Sequence, residues 1–146
     1  REEFEPGSAQ HDFLVDDLQG CKATWKIVFF HYPPYVSGDY QVEEMRALCP
    51  VLEEHGVDLV LNSHTIVYER SHPLRDGRLD AKDGIVYVVA GGAGAAPNWF
   101  HHKWAWHTAQ ALAVPHFVQV VIAGDTLELR AMDDEGRLFD TMKLTK

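Results

Sequence analysis

The chain has 146 residues, 46% hydrophobic against 24% charged, with a net charge of −9 at pH 7 and a pI near 5.3. That balance excludes a disordered polyelectrolyte. It also excludes nucleic-acid or anionic-membrane binding by the whole surface, since phosphate contacts need clustered Lys and Arg.

A phosphate ester stays admissible as a ligand where a bound cation reverses the local sign. No apolar run approaches the ~20 residues that cross a bilayer. Cys21 and Cys49 have no C-x-x-C spacing and read as free thiols, which leaves the compartment open. The chain starts at Arg1 without an initiator Met or an apolar leader, so it reads as processed, trimmed or cut from something longer. One compact domain over residues 1–146 is the expectation, burying about 70% of its unfolded surface.

In chain order, residues 1 to 7 are acidic and irregular. Ser8 is an N-cap candidate for a helix through about Leu18, with Phe13, Leu14 and Leu18 on one side and Gly20 as the stop. Trp25 to Phe30 is apolar except for Lys26 and reads as a strand covered on both faces. Tyr32 to Gln41, with two prolines and Gly38, is loop. A helix from Val42 puts Met45, Leu48 and Leu52 on one face, and Pro50 must kink or restart it after Cys49. Gly56 ends it, and Val57 to Asn62 is a second buried strand. Residues 25 to 62 therefore form a β-α-β unit with parallel strands.

Thr65 to Arg70 and Ile85 to Ala90 are further strands flanking a polar loop from Asp76 to Asp83. Ala95 to Val114, rich in Trp and His, is either a lid-like loop or a short helix. Period-2 alternation returns in His116 to Ile122, Thr126 to Met132 and Arg137 to Leu144, with turns at Ala123-Gly124-Asp125 and at Asp133-Asp134-Glu135-Gly136. The chain thus closes on an antiparallel meander, and the fold class is α+β.

Two apolar runs end on histidine, Ile27-Val-Phe-Phe-His31 and Asp58-Leu-Val-Leu-Asn-Ser-His64, 33 residues apart. Buried strands deliver such side chains to the carboxyl edge of a sheet, where two imidazoles can share one ion. The blocks Val28-Phe29-Phe30-His31-Tyr32-Pro33-Pro34-Tyr35 and Ser63-His64-Thr65-Ile66 with Tyr68-Glu69-Arg70 resemble the last two signature blocks of the calcineurin-like metallophosphoesterases, particularly the purple-acid-phosphatase-like branch. In that family the pattern is V-x-x-H with H-x-P-x-Y, then G-H-x-H followed by Y-E-R. The first block is intact here. In the second, Ser63 stands for the glycine and Ile66 for the final histidine. The family's earlier blocks, which supply aspartates and an asparagine ligand, have no counterpart in residues 1 to 24.

The resemblance implies half of a metallophosphoesterase-type β-sandwich flanked by helices. It makes His31 and His64 ligands of one metal (Fe, Zn or Mn), leaves its neighbour without an imidazole, and implies weak or no metal binding and activity for the isolated chain. Hydrolytic metals normally take at least three protein ligands. Further oxygen or nitrogen could come only from Asp39, Asp58, Glu69 or the His101-His102 pair. Tyr35, Tyr68, Arg70, His101 and His102 are the substrate-facing candidates. Along a strand, alternation puts Tyr68 and Arg70 on one side and Glu69 on the other, which equally suits structural pairing. Gly91-Gly92-Ala93-Gly94 lacks the features of a P-loop and reads as a tight turn. Ser63 is unfavourable if its φ must be positive.

Exposed apolar surface where the front half of the sandwich would lie implies a homo-oligomer or a complementing chain. The two functional readings are a phosphate-ester hydrolase lineage with an incomplete dinuclear site, and a non-catalytic structural or binding protein that retains the scaffold.

Overall fold

A computed structural model describes residues 4–38, 40–98 and 105–146. Helix α1 spans Ala9–Gly20, and its N-cap Ser8 accepts a hydrogen bond from the His11 N–H at 3.2 Å. Leu18 is buried and Leu14 packs beside it, but Phe13 is 70% exposed. One residue is about 100° of helix rotation, so Phe13 turns away from the face that Leu14 and Leu18 share.

Strand β1 covers Ile27–Phe29. A 3₁₀ helix over Glu43–Leu48 then gives way to helix α2, Cys49–Glu54, which restarts with Pro50 in its first turn. Pro has no N–H to lose there, so the break expected at this residue becomes a junction between two short helices. Gly56, at φ 66°, turns the chain into β2, Leu59–Asn62. β1 and β2 are parallel, in register from Ile27↔Leu59 to Phe29↔Leu61.

Among the described residues the main sheet has five strands. β3 (Tyr68–Ser71), β6 (Val86–Ala90) and β7 (Thr108–Leu112) join β1 and β2 in the order β1-β2-β6-β3-β7. A two-stranded hairpin, β4 (Leu74–Arg75) and β5 (Arg78–Leu79), occupies the stretch expected as polar loop. Asp76 and Gly77 have φ of 50° and 65°, the two positive values that a type I′ turn needs, so the Asp-Gly pair was its signature. β7 replaces the lid or helix expected between residues 95 and 114. Its sequence Thr-Ala-Gln-Ala-Leu lacks β-branched alternation, and pairing with β3 decides its state. Trp99, His101, His102 and Trp104 lie outside the described residues.

β8 (His116–Ala123), β9 (Thr126–Asp133) and β10 (Leu138–Thr145) form the expected meander, with β9 central. It packs on one face of the main sheet. Leu59, Val86, Val88 and Tyr68 meet Leu127, Leu129 and Ala131 there. The alternate residues Val60 and Tyr87 join Leu18, Tyr35, Leu52 and Ile85 on the helical face. β2 and β6 are thus buried on both faces, as their unbroken apolar runs imply. β1 is not. Phe29 is 82% exposed: β1 is an edge strand, and among the described residues Phe29 is left out of the core that the meander closes.

Candidate functional site

The backbone bonding of β1 to β2 continues past their named ends. Phe30 N–H donates to Leu61 O at 3.2 Å, Ser63 N–H to His31 O at 3.0 Å, and the Asn62 side-chain amide to Phe30 O at 2.9 Å. This zipper carries His31 and His64 off adjacent strands together. His31 Nε2 and His64 Nδ1 stand 3.2 Å apart, with the rings edge to face at 5.1 Å between centroids. One imidazole N–H donates to the other ring's lone pair.

The chain turns sharply at His64. Its φ is 63°, and Thr65 N–H donates to Ser63 O at 2.8 Å, a γ-turn with the central residue in the left-handed region. The sequence placed the conformational difficulty at Ser63, whereas the positive φ belongs to the histidine. A non-glycine residue held so costs on the order of 1–3 kcal/mol, and such outliers gather where surroundings over-determine them. Here the surroundings are aromatic. Tyr32 lies edge-on to His64 at 4.6 Å and to His31 at 4.9 Å, and Tyr40 reaches His64 at 5.8 Å. Partial burial, then the neighbouring His31, holds the His64 imidazole below its usual pKa. Asn98 brackets the far side of the turn, accepting from Ile66 N–H at 2.5 Å and donating its own N–H to Ile66 O at 2.9 Å. Tyr32, Tyr40 and Asn98 were not singled out from sequence, although Tyr32 directly follows the first histidine.

The remaining candidates go elsewhere. Tyr35 is buried against Tyr87 and His107, with the Arg46 guanidinium 4.8 Å above its ring, and burial pushes its hydroxyl up to about 12. Tyr68 donates to Asp140 at 2.5 Å, and Arg70 grips the same carboxylate through Nε at 2.7 Å and Nη2 at 2.9 Å. Glu69, on the opposite side of β3, is bound to Ser37 and Thr108. Asp58 accepts from Lys26 N–H and from Lys146 at the other end of the strands. Asp39, His101 and His102 lie outside the described residues. Gly91 and Gly92 serve close packing: a methyl on Gly91 would overlap the Thr65 carbonyl, and one on Gly92 the His116 ring.

The donor set fits a metal in part. Two nitrogens bonded to one ion at about 2.0–2.1 Å stand about 2.8 to 3.4 Å apart between octahedral and tetrahedral angles, and the observed separation falls within that range. Among the described residues, no three His, Cys, Asp or Glu side chains form a cluster that could hold an ion.

Residues 1–68 match the sequence profile of the calcineurin-like phosphoesterases. Purple acid phosphatase 18 of Arabidopsis thaliana is 32% identical over a match covering 63% of this chain and 22% of that protein. Purple acid phosphatase 15 of the same plant is 30% identical over 62% of this chain and 18% of its own length. The chain thus spans about a fifth of the curated relatives it matches. Among solved structures, the purple acid phosphatase PPD1 from yellow lupin seeds superposes with a TM-score of 0.88 at 21% identity, covering 97% of this chain and 29% of that one. GAP50, the anchor in the inner membrane complex of Plasmodium, gives a TM-score of 0.69 at 16% identity, over 92% and 41%. The fold is the α+β sandwich of the purple acid phosphatases.

Proposed function

This chain carries a calcineurin-like phosphoesterase region on a purple acid phosphatase fold, and from that premise we propose that His31 and His64 are the imidazole share of a metal centre in a phosphate-ester hydrolase lineage. The 3.2 Å approach of His31 Nε2 to His64 Nδ1 carries this reading. A bound Fe, Zn or Mn ion would supply Lewis acidity and activate water for attack on a phosphoryl group. The chain's own part is to present two lone pairs from strand ends, one on a strained turn, beneath two tyrosine rings.

Two imidazoles are too few for a hydrolytic site. By resemblance the missing ligands are carboxylates, which a longer polypeptide, a second copy or a complementing chain would bring. The site of the isolated chain is therefore incomplete, and its hydrolysis of a small phosphate ester weak or absent. A non-catalytic scaffold is the second reading. It is favoured by Ile66, which has no lone pair where the family pattern has histidine, and by the likeness of the fold to a protein described as an anchor.

Titrating the 146-residue chain with Zn²⁺, Mn²⁺ and Fe²⁺, alongside hydrolysis of a chromogenic phosphate ester, separates the two. Weak binding of one ion that is lost in both His31→Ala and His64→Ala is the expected result, with no turnover. Metal affinity unchanged in both variants would sink the metal-centre reading, and no binding by the parent chain would favour the scaffold.

A further inference from the structure

Accepting the reading of His31 and His64 as ligands, we infer that Glu69 is a positioning residue for them, setting from inside the fold the loop whose aromatic rings wall the pair. Glu69 is 2% exposed. Its Oε1 accepts from the Ser37 N–H at 3.0 Å and the Thr108 hydroxyl at 2.6 Å, and its Oε2 from the Ser37 N–H at 2.8 Å and the Ser37 hydroxyl at 2.9 Å.

These donors belong to two separate segments of the chain. Ser37 lies in the loop that leaves His31. Glu69 lies on β3, five residues past His64. Thr108 opens β7. One carboxylate therefore ties the loop that leaves His31 to β3, the strand that follows the His64 turn, and to the start of β7. Between His31 and Ser37 the loop has little freedom, because Pro33 and Pro34 fix φ and Tyr35 is sunk in the core. Beyond Gly38 the chain emerges at Tyr40, whose own φ is 62° and whose ring reaches His64. The Glu69 anchor at Ser37 thus lies three residues before Tyr40 in the aromatic wall.

The anchor requires an anion. Among the described residues, the one basic group within 4 Å of the carboxylate is His107, its Nδ1 3.9 Å from Oε1, and burial holds that imidazole down at about 4, so it is neutral at pH 7. Burial raises the Glu69 pKa, and the donated hydrogen bonds oppose that rise. Replacing one carboxylate oxygen by an amide NH₂ would aim donors at donors, leaving a buried Ser37 N–H or hydroxyl unpaired.

Asp140 supplies the control. It is a second carboxylate, on a half-buried residue whose side chain is 8% exposed, serving the same strand from the opposite face, held by Tyr68 and Arg70, and it joins β3 to β10 rather than to the site loop. In the metal-free 146-residue chain, Glu69→Gln and Asp140→Asn should both lower the melting temperature. Only Glu69→Gln should shift the His31 and His64 imidazole proton resonances and abolish the Tyr40–His64 nuclear Overhauser contact. It should also weaken Zn²⁺ binding roughly tenfold, as loss of an orienting group does. Ser37→Ala, which keeps the carboxylate and removes one donor, should shift the same resonances by less and carries the test if Glu69→Gln does not fold. Unmoved resonances in Glu69→Gln and Ser37→Ala, or an equal shift in Asp140→Asn, would overturn the assignment. Shifted resonances in a chain that binds no Zn²⁺ would leave the positioning role standing and remove the metal reading instead.

Discussion

Leu59 on β2 and Phe29 on β1 both belong to the face of the main sheet that the meander covers. Leu59 has no exposure, whereas Phe29 is 82% exposed. The difference lies in position. β2, β6 and β3 have the meander on one side and helix or loop residues on the other, while β1 is the edge and extends past the meander's cover. An apolar run identifies a strand, but cover depends on what the rest of the chain brings over it. The histidine pair spans this boundary, with His31 two residues past the edge strand and His64 two residues past its covered neighbour.

The largest expected effect tests the boundary directly. Leu59→Ala removes a fully buried side chain between two sheets and should cost about 2–5 kcal/mol in urea unfolding. Phe29→Ala should stay within about 0.5 kcal/mol, as exposed sites do. A Phe29→Ala penalty that approaches the Leu59→Ala value and grows with protein concentration would mean that a second copy covers the edge in solution.

Acid should strike the covered region. His107 is buried between Tyr35, Glu69 and Arg46, and its pKa is lowered to about 4 from 6.5, by burial first and then by Arg46. Between those values the unfolded chain binds the proton and the native chain does not. The contribution is therefore complete above about pH 6.5 and lost as pH falls toward 4, on the order of 3 kcal/mol in all. His116, also lowered by burial, adds in the same direction, while the raised Glu69 opposes both. Urea midpoints of His107→Gln measured from pH 7 to pH 4 should fall less steeply than those of the parent chain, and parallel curves would refute the assignment.

Much of this arrangement was legible in the residues. Two apolar runs ending in histidine implied strands that meet at one edge, and the rings do meet. Alternation at Tyr68-Glu69-Arg70 implied opposite faces, and Asp140 and Ser37 hold them there. Pro50 implied a helix restart. What was hidden depends on partners distant in sequence. The donors to Glu69 lie 32 and 39 residues away, outside any motif. Tyr35 sits in a motif and looks substrate-facing until the Tyr87 and His107 rings close over it. β7 is strand only because β3 offers it an edge.

The smallest effect concerns the strained turn. The family pattern puts glycine at position 63, yet the left-handed φ lies at His64. In the left-handed region a side chain costs roughly 1–2 kcal/mol, against about 0.5–1 kcal/mol of extra chain entropy lost on ordering a glycine. His64→Gly should therefore be more stable than His64→Ala by up to about 1 kcal/mol, since alanine keeps the strain and both lose the ring contacts. Ser63→Gly, with no positive φ to relieve, should gain nothing. If Ser63→Gly stabilises and the two His64 variants are equal, the turn is seated one residue earlier than described. If the expected order holds, the residue that brings an imidazole to the edge does so at a cost in stability that glycine at the same position would partly remove.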